Sequence, residues 1–138
     1  MFTGLIQRTG KVAKANFFSD GGGYLEIEYS GENNDPILLG ESIAVNGVCL
    51  TVTKITNKII AFDLLVETLT TTALAKIHTG SIVNLERALQ KEGKIGGHFV
   101  TGHIDGVGKI TEILKKGMDI IFNISCDDSL MNFIVSKG

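Results

Sequence analysis

SIAVNGVCLTV, residues 42–52, reads as two short apolar strands joined by Asn46-Gly47. A two-residue hairpin loop of type I′ needs positive φ at both central positions, and Asn-Gly meets that need better than almost any other pair. The β-branched, alternating residues on either side have the period of strands. Outward from this hairpin the same pattern recurs in GLIQRTGKV (4–12), YLEIEY (24–29), KIIAFDLL (58–65), SIVNLERA (81–88), HFVTGHIDG (98–106), GKITEIL (108–114) and DIIFNIS (119–125). Helical character is confined to TTTALAKI (70–77), where a threonine can cap a short helix, and DDSLMNFIV (127–135), with acids in its first turn. Six or so short strands at close spacing with one small helix predict an all-β fold, a closed or nearly closed antiparallel barrel.

Composition agrees. The chain has 138 residues, 43% hydrophobic and 20% charged, with 17 glycines, one proline and no tryptophan, which suits a globular β protein with many tight turns. Its net charge of −2 is made of interspersed acids and bases, so no bulk field draws nucleic acid or an anionic membrane. The apolar runs fall far short of the roughly 20 residues of a membrane span, and the N-terminus lacks signal-peptide or transit-peptide character. Neither a nucleic-acid nor a membrane partner is expected, and the cytoplasm is the default location. Cys49 and Cys126 show no CxxC spacing, which favours two reduced thiols over a zinc site or redox pair.

The chain also repeats itself. A shift of 98 residues lays Thr3-Gly4 on Thr101-Gly102, Gly10-Lys11-Val12 on Gly108-Lys109-Ile110, Tyr24 on Phe122 and Gly40 on Gly138, without a gap. MFTGLIQRTGKV and FVTGHIDGVGKI are therefore two copies of one opening, and the chain is a tandem duplication with an incomplete second copy. The expected units are 1–97, a first barrel, and 98–138, part of a second. Residues 41 to about 88 have no counterpart in the second copy, so unpaired strand edges are expected there. Of the accounts weighed, a fragment of a longer protein is preferred over a partly disordered half or completion by another chain.

MFTGLIQ, GESIAVNGVCLTV (40–52), FDLLVETL (62–69), VNLERAL (83–89) and GGHFVTGHIDG (96–106) together resemble, in order and spacing, the riboflavin synthase family, α-chain type. The resemblance is dense to about residue 111 and looser beyond. It implies duplicated six-stranded Greek-key antiparallel β-barrels, each with a short helix and each holding one pteridine-like ligand. It also implies a reaction in which one 6,7-dimethyl-8-ribityllumazine passes a four-carbon unit to another, giving riboflavin and 5-amino-6-ribitylaminopyrimidinedione. No metal and no added cofactor are implied. A homo-oligomer is: a trimer for the full-length family; for this chain, lone first barrels pairing about a two-fold axis would give a dimer. Weak or absent turnover is expected of 138 residues alone, because the second ligand needs a whole second barrel. A non-catalytic lumazine- or flavin-binding protein on the same barrel is the alternative.

The resemblance places ligand contacts at Phe2, Gly4, Leu5, Ile6, Cys49, Leu50, Thr51, Asp63, Leu64, Leu65, Val66, Glu67, Thr68, Gly102, His103, Ile104 and Lys137, the last in the second barrel. Each has a plainer reading: Gly4 a turn glycine, Cys49 a small buried hydrophobe, Phe2 a staple, Glu67 a surface carboxylate, Thr68 a helix cap. Thr51 falls on the same strand face as Cys49. Candidate catalytic groups are His103, Cys49, Ser42 and His98. A thiol or hydroxyl can add to the pteridine or hydrogen-bond it, and an imidazole can shuttle the methyl proton or activate water. His103, at the position where the first copy has Leu5, is expected to participate directly and His98 to position. A metal reading of His98, His103 and Asp105 fails for want of a common face, and a phosphate loop fails because no helix follows the glycines.

Overall fold

The computed structural model describes residues 1–29, 36–90 and 96–136. Residues 1–104 form one compact unit and residues 105–138 another. In the first unit, β1 (Arg8–Phe17), β2 (Gly23–Glu28), β3 (Ser42–Val45), β4 (Val48–Thr56), β5 (Ile59–Leu64) and β6 (Ile82–Arg87) close into an antiparallel barrel of spatial order β1-β2-β5-β4-β3-β6. The β3–β4–β5 meander is flanked by β2 beside β5 and β6 beside β3, so the strands cross as Greek keys. This is the six-stranded barrel expected from the strand pattern.

The hairpin that suggested the fold has the geometry its residues require: Asn46 at φ 48° and Gly47 at φ 84° link Val45 to Val48. Asn46 also ties the turn to β6, its N–H donating to the Asn84 carbonyl and its Oδ1 accepting the Asn84 N–H. Inside the barrel lie Val12, Leu25, Ile27, Ile43, Val45, Leu50, Val52, Ile60, Phe62, Leu64, Val83 and Leu85, all buried. Leu74 joins this core. Strand curvature comes from register shifts between Val12 and Lys14 and between Val52 and Lys54, since a bulge sharpens twist. Gly10 is needed where β1 passes from β6 to β2: a Cβ there would lie 2.5 Å from Ile27 and 2.7 Å from Leu85.

Three local expectations change. The segment 4–12 is not a single strand; β1 starts only at Arg8. The segment 98–106 is irregular and touches a ladder at one bridge, Phe2 with Val100, because its glycines and the positive φ of Gly102 break the pleat. The helical region begins earlier than TTTALAKI, as α1 (Val66–Thr71), and ends in a 3-10 turn, Ala73–Lys76, which Thr72 caps by accepting the Leu74 N–H.

The second unit holds a hairpin of β7 (Lys109–Lys116) and β8 (Asp119–Ser125), then a single helical turn, α2 (Asp128–Met131). The irregularity between Ile110 and Glu112 in β7 repeats, 98 residues on, that between Val12 and Lys14 in β1. The gapless alignment nevertheless needs one correction. Asn16 faces Tyr24 whereas its counterpart Leu114 faces Ile121, so the second hairpin turn is one residue shorter and Tyr24 corresponds to Ile121 rather than Phe122. Gly138 lies outside the described residues. No helix among the described residues is long and apolar enough to cross a membrane.

Candidate ligand site

Along β4, Val48, Leu50 and Val52 point into the barrel while Cys49, Thr51 and Thr53 point out. On β3, Ser42 stands opposite Thr51, and Ala44 opposite Cys49. Ser42, Cys49 and Thr51 therefore share one outer face. Leu50 (6% exposed) and Leu64 (4%) belong to the interior, so their side chains are not presented on that face.

The β4–β5 ladder runs from Thr56–Ile59 to Val52–Phe62 and stops there. Beyond it β5 stays paired with β2 as far as Leu64 and the chain passes through Leu65 into α1, which leaves Cys49 to Thr51 of β4 without a β5 partner. Leu65 and Val66 are exposed. Asp63 stands across from Tyr24 on β2. The Tyr24 hydroxyl donates to Glu26 Oε1 at 3.1 Å. Desolvation, then that hydrogen bond and the negative charges of Glu26 and Asp63, hold its pKa above the usual tyrosine value.

In α1 the Thr70 and Thr71 hydroxyls donate to the Glu67 carbonyl and the Thr72 hydroxyl to the Thr68 carbonyl. Thr68 is half-buried within the helix, and the N-cap position is Leu65, which has no side-chain cap. Glu67 is exposed in the first turn, where a negative charge suits the helix dipole.

The segment His98–Ile104 meets β4 at Gly102. The Gly102 carbonyl accepts the Cys49 N–H at 2.9 Å. Gly102 has φ 76°, and a Cβ on it would lie 2.8 Å from the Cys49 Cβ and 3.1 Å from the Phe2 ring, so both backbone angle and close approach demand glycine. His103 and Ile104 follow directly and are exposed. Phe2 is buried, 1% exposed, and acts as packing rather than as an open ring platform.

Phe2 and Val100, residues 98 apart, exchange both backbone hydrogen bonds, at 2.8 and 3.1 Å. Thr3 and Thr101 each accept, through the side-chain oxygen, the N–H two residues on, at 3.3 Å in both copies. Gly4 and Gly102 have φ of 80° and 76°. The two openings thus meet antiparallel about a local two-fold. Its consequence is an exchange: Gly102 packs against Cys49, whereas a Cβ on Gly4 would lie 3.3 Å from the His98 ring and Cβ atoms on Gly96 and Gly97 would lie 3.1 and 3.4 Å from Leu5. Both His98 and His103 are exposed, and the described residues contain no cluster of three or more His, Cys, Asp or Glu able to hold a metal. Lys137 lies outside the described residues.

Glu86 escaped the reading of single residues. Its motif, VNLERAL, is legible, but which strand residue faces the N-terminal segment is not, because that contact joins residues 83 apart.

The lumazine binding domain family matches residues 3–88, and the chain belongs to that family. It is similar to riboflavin synthase of Bacillus subtilis (strain 168), 42% identical over 138 residues, covering all of this chain and 63% of that protein. It is also similar to riboflavin synthase of Escherichia coli (strain K12), 38% identical over 144 residues and covering 65% of it. The chain therefore spans somewhat under two thirds of these relatives. Its fold resembles the crystal structure of LumP complexed with riboflavin, with TM-score 0.85 and 27% identity over 99% of this chain and 73% of that one. LumP complexed with 6,7-dimethyl-8-(1'-D-ribityl) lumazine gives TM-score 0.81 at 26% identity, over 93% of this chain and 70% of that one.

Proposed function

We propose that this chain carries the first ligand-binding barrel of a riboflavin synthase, and that the ligand is 6,7-dimethyl-8-ribityllumazine or riboflavin. The observation that carries the reading is that the β4–β5 ladder stops at Val52, which leaves Cys49 to Thr51 without a β5 partner, with Ser42, Cys49 and Thr51 on one face and Gly102 bonded to the Cys49 N–H. A flat heterocycle with alternating donors and acceptors suits a peptide edge, and hydroxyl-bearing Thr51 and Thr68 with the carboxylates of Asp63 and Glu67 suit a ribityl chain. The ring chemistry asks chiefly for placement, because the methyl carbanion is stabilised by the heterocycle itself. Cys49 or Ser42 is the nucleophile or hydrogen-bond partner in this proposal, and His103 moves the methyl proton. Gly4, Leu5 and Ile6 serve the second ligand, across the pseudo-two-fold.

The dismutation needs two lumazines face to face, so a homo-oligomer is part of the proposal, as is a cytoplasmic setting and a reaction with no added cofactor. Titration with riboflavin, read by quenching of flavin fluorescence, tests the site. Saturable quenching weakened by Cys49→Ala and Thr51→Ala is the expected result; no binding at millimolar ligand refutes the reading. The close match to LumP complexes favours a second reading, a carrier without turnover. Conversion of the lumazine to riboflavin, lost in His103→Ala and Cys49→Ala, distinguishes enzyme from carrier.

A further inference from the structure

Glu86 lies on β6 opposite Ala44 of β3 and is 4% exposed. An ionised carboxylate so far from water needs donors. Its Oε1 accepts the Thr3 N–H and the Thr3 hydroxyl, both at 2.6 Å, and its Oε2 accepts the Gly4 N–H at 3.1 Å. None of these donors belongs to a barrel strand, because β1 starts only at Arg8. They belong to the N-terminal segment, and that segment is what the second opening leans on. The Thr3 carbonyl accepts the His98 N–H at 3.1 Å, and Phe2 and Val100 exchange hydrogen bonds. Two residues further, Gly102 takes the Cys49 N–H at 2.9 Å.

We propose that Glu86 is a positioning residue for the ligand site: a carboxylate clamp that holds Thr3 and Gly4 and, through them, docks residues 98–104 against β4. The inference rests on reading the Cys49–Thr51 face as a lumazine or flavin site. The clamp faces outward, and the barrel interior beside it is filled by Val83 and Leu85, so closure of the barrel does not require it. What requires it is the placement of Gly102, His103 and Ile104. Hydrogen bonds to a charged acceptor are stronger than neutral ones. Glutamine in its place keeps one carbonyl oxygen and turns an N–H toward a donor.

The test uses the whole chain with Glu86→Gln and Thr3→Val, which loosen the clamp from its two ends, alone and combined. In ligand-free protein, hydrogen exchange at the Val100 and Cys49 amides is expected to quicken roughly tenfold or more while the β2–β5 ladder keeps its protection. Riboflavin affinity is expected to fall by about ten- to a hundredfold in Glu86→Gln, the range that losing charge-assisted bonds implies. The double variant is expected to lose less than the two single losses combined, as for residues acting on one contact. Unchanged exchange at Val100 and Cys49 in both variants overturns the clamp, and so does loss of barrel protection in step with them, which marks a merely structural role. The exchange measurement needs no ligand and judges the clamp; the wild-type riboflavin titration judges the site reading by itself.

Discussion

Gly102 is where the second copy of the opening meets the first barrel. It combines φ 76° with a Cβ position 2.8 Å from Cys49, so Gly102→Ala strains the backbone and pushes the segment off β4. Riboflavin binding is expected to weaken at least about tenfold in that variant, since left-handed backbone costs a non-glycine residue roughly 1–2 kcal/mol before the clash is counted. A fluorescence titration checks it. Gly10 makes a different demand, for volume inside the barrel. A methyl group there meets Ile27 and Leu85 below 3 Å, and Gly10→Ala is expected to lower unfolding free energy by about 1–3 kcal/mol, the usual cost of overpacking, in a urea titration. Sequence comparison paired both glycines with partners in the other copy, so their importance was legible. Their separate reasons were not, because a repeat shows that glycine recurs without showing what a Cβ would hit.

Among the elements, the β3–β4 hairpin is the most local. Gly47 has φ 84° and open space around a Cβ, so Gly47→Ala isolates backbone strain. Its expected cost is about 1–2 kcal/mol of stability, measured by denaturant unfolding, with ligand contacts untouched. The α2 turn offers a pH test. Asp127 Oδ1 accepts the Ser129 hydroxyl at 2.7 Å and the Ser129 N–H at 2.9 Å, and these bonds hold its pKa below the ordinary carboxylate value. A depressed folded-state pKa stabilises the turn above the unfolded carboxylate pKa and ceases to do so as pH falls through the lower, folded value. The Ser129 amide resonance is therefore expected to titrate below the range of a free aspartate; a midpoint at the free value refutes the cap. Elements governed by contacts between neighbours, such as the Asn-Gly hairpin and the Thr-capped turn, could be read from the chain. The segment 98–106 has the alternation of a strand yet is irregular, because that alternation runs across glycines that the fold uses for positive φ and close approach.

At the scale of the whole molecule the two copies diverge through their surroundings. Val12, Leu25 and Ile27 are buried in the first, whereas in the second Ile110, Ile113, Phe122 and Ile124 are each more than half exposed. β1 and β2 gain β6 and β5 as neighbours; among the described residues β7 and β8 pair only with each other. The chain is expected to bind an apolar reporter dye in its native state, and Ile113→Lys with Ile124→Lys to reduce that fluorescence by about half or more, since a contiguous apolar face of this kind is unusual on a folded surface. The residue sequence by itself determined the all-β class, the hairpin, the duplication and the family, because alternation, turn chemistry and repeated motifs are properties of neighbours along the chain. Only the tertiary structure decided that Gly102 of the second opening, rather than Gly4 of the first, meets Cys49, and that Glu86 holds the N-terminal segment. Those arrangements depend on contacts between residues 53 and more than 80 positions apart, whose partners are chosen by barrel closure and the local two-fold rather than by any local preference.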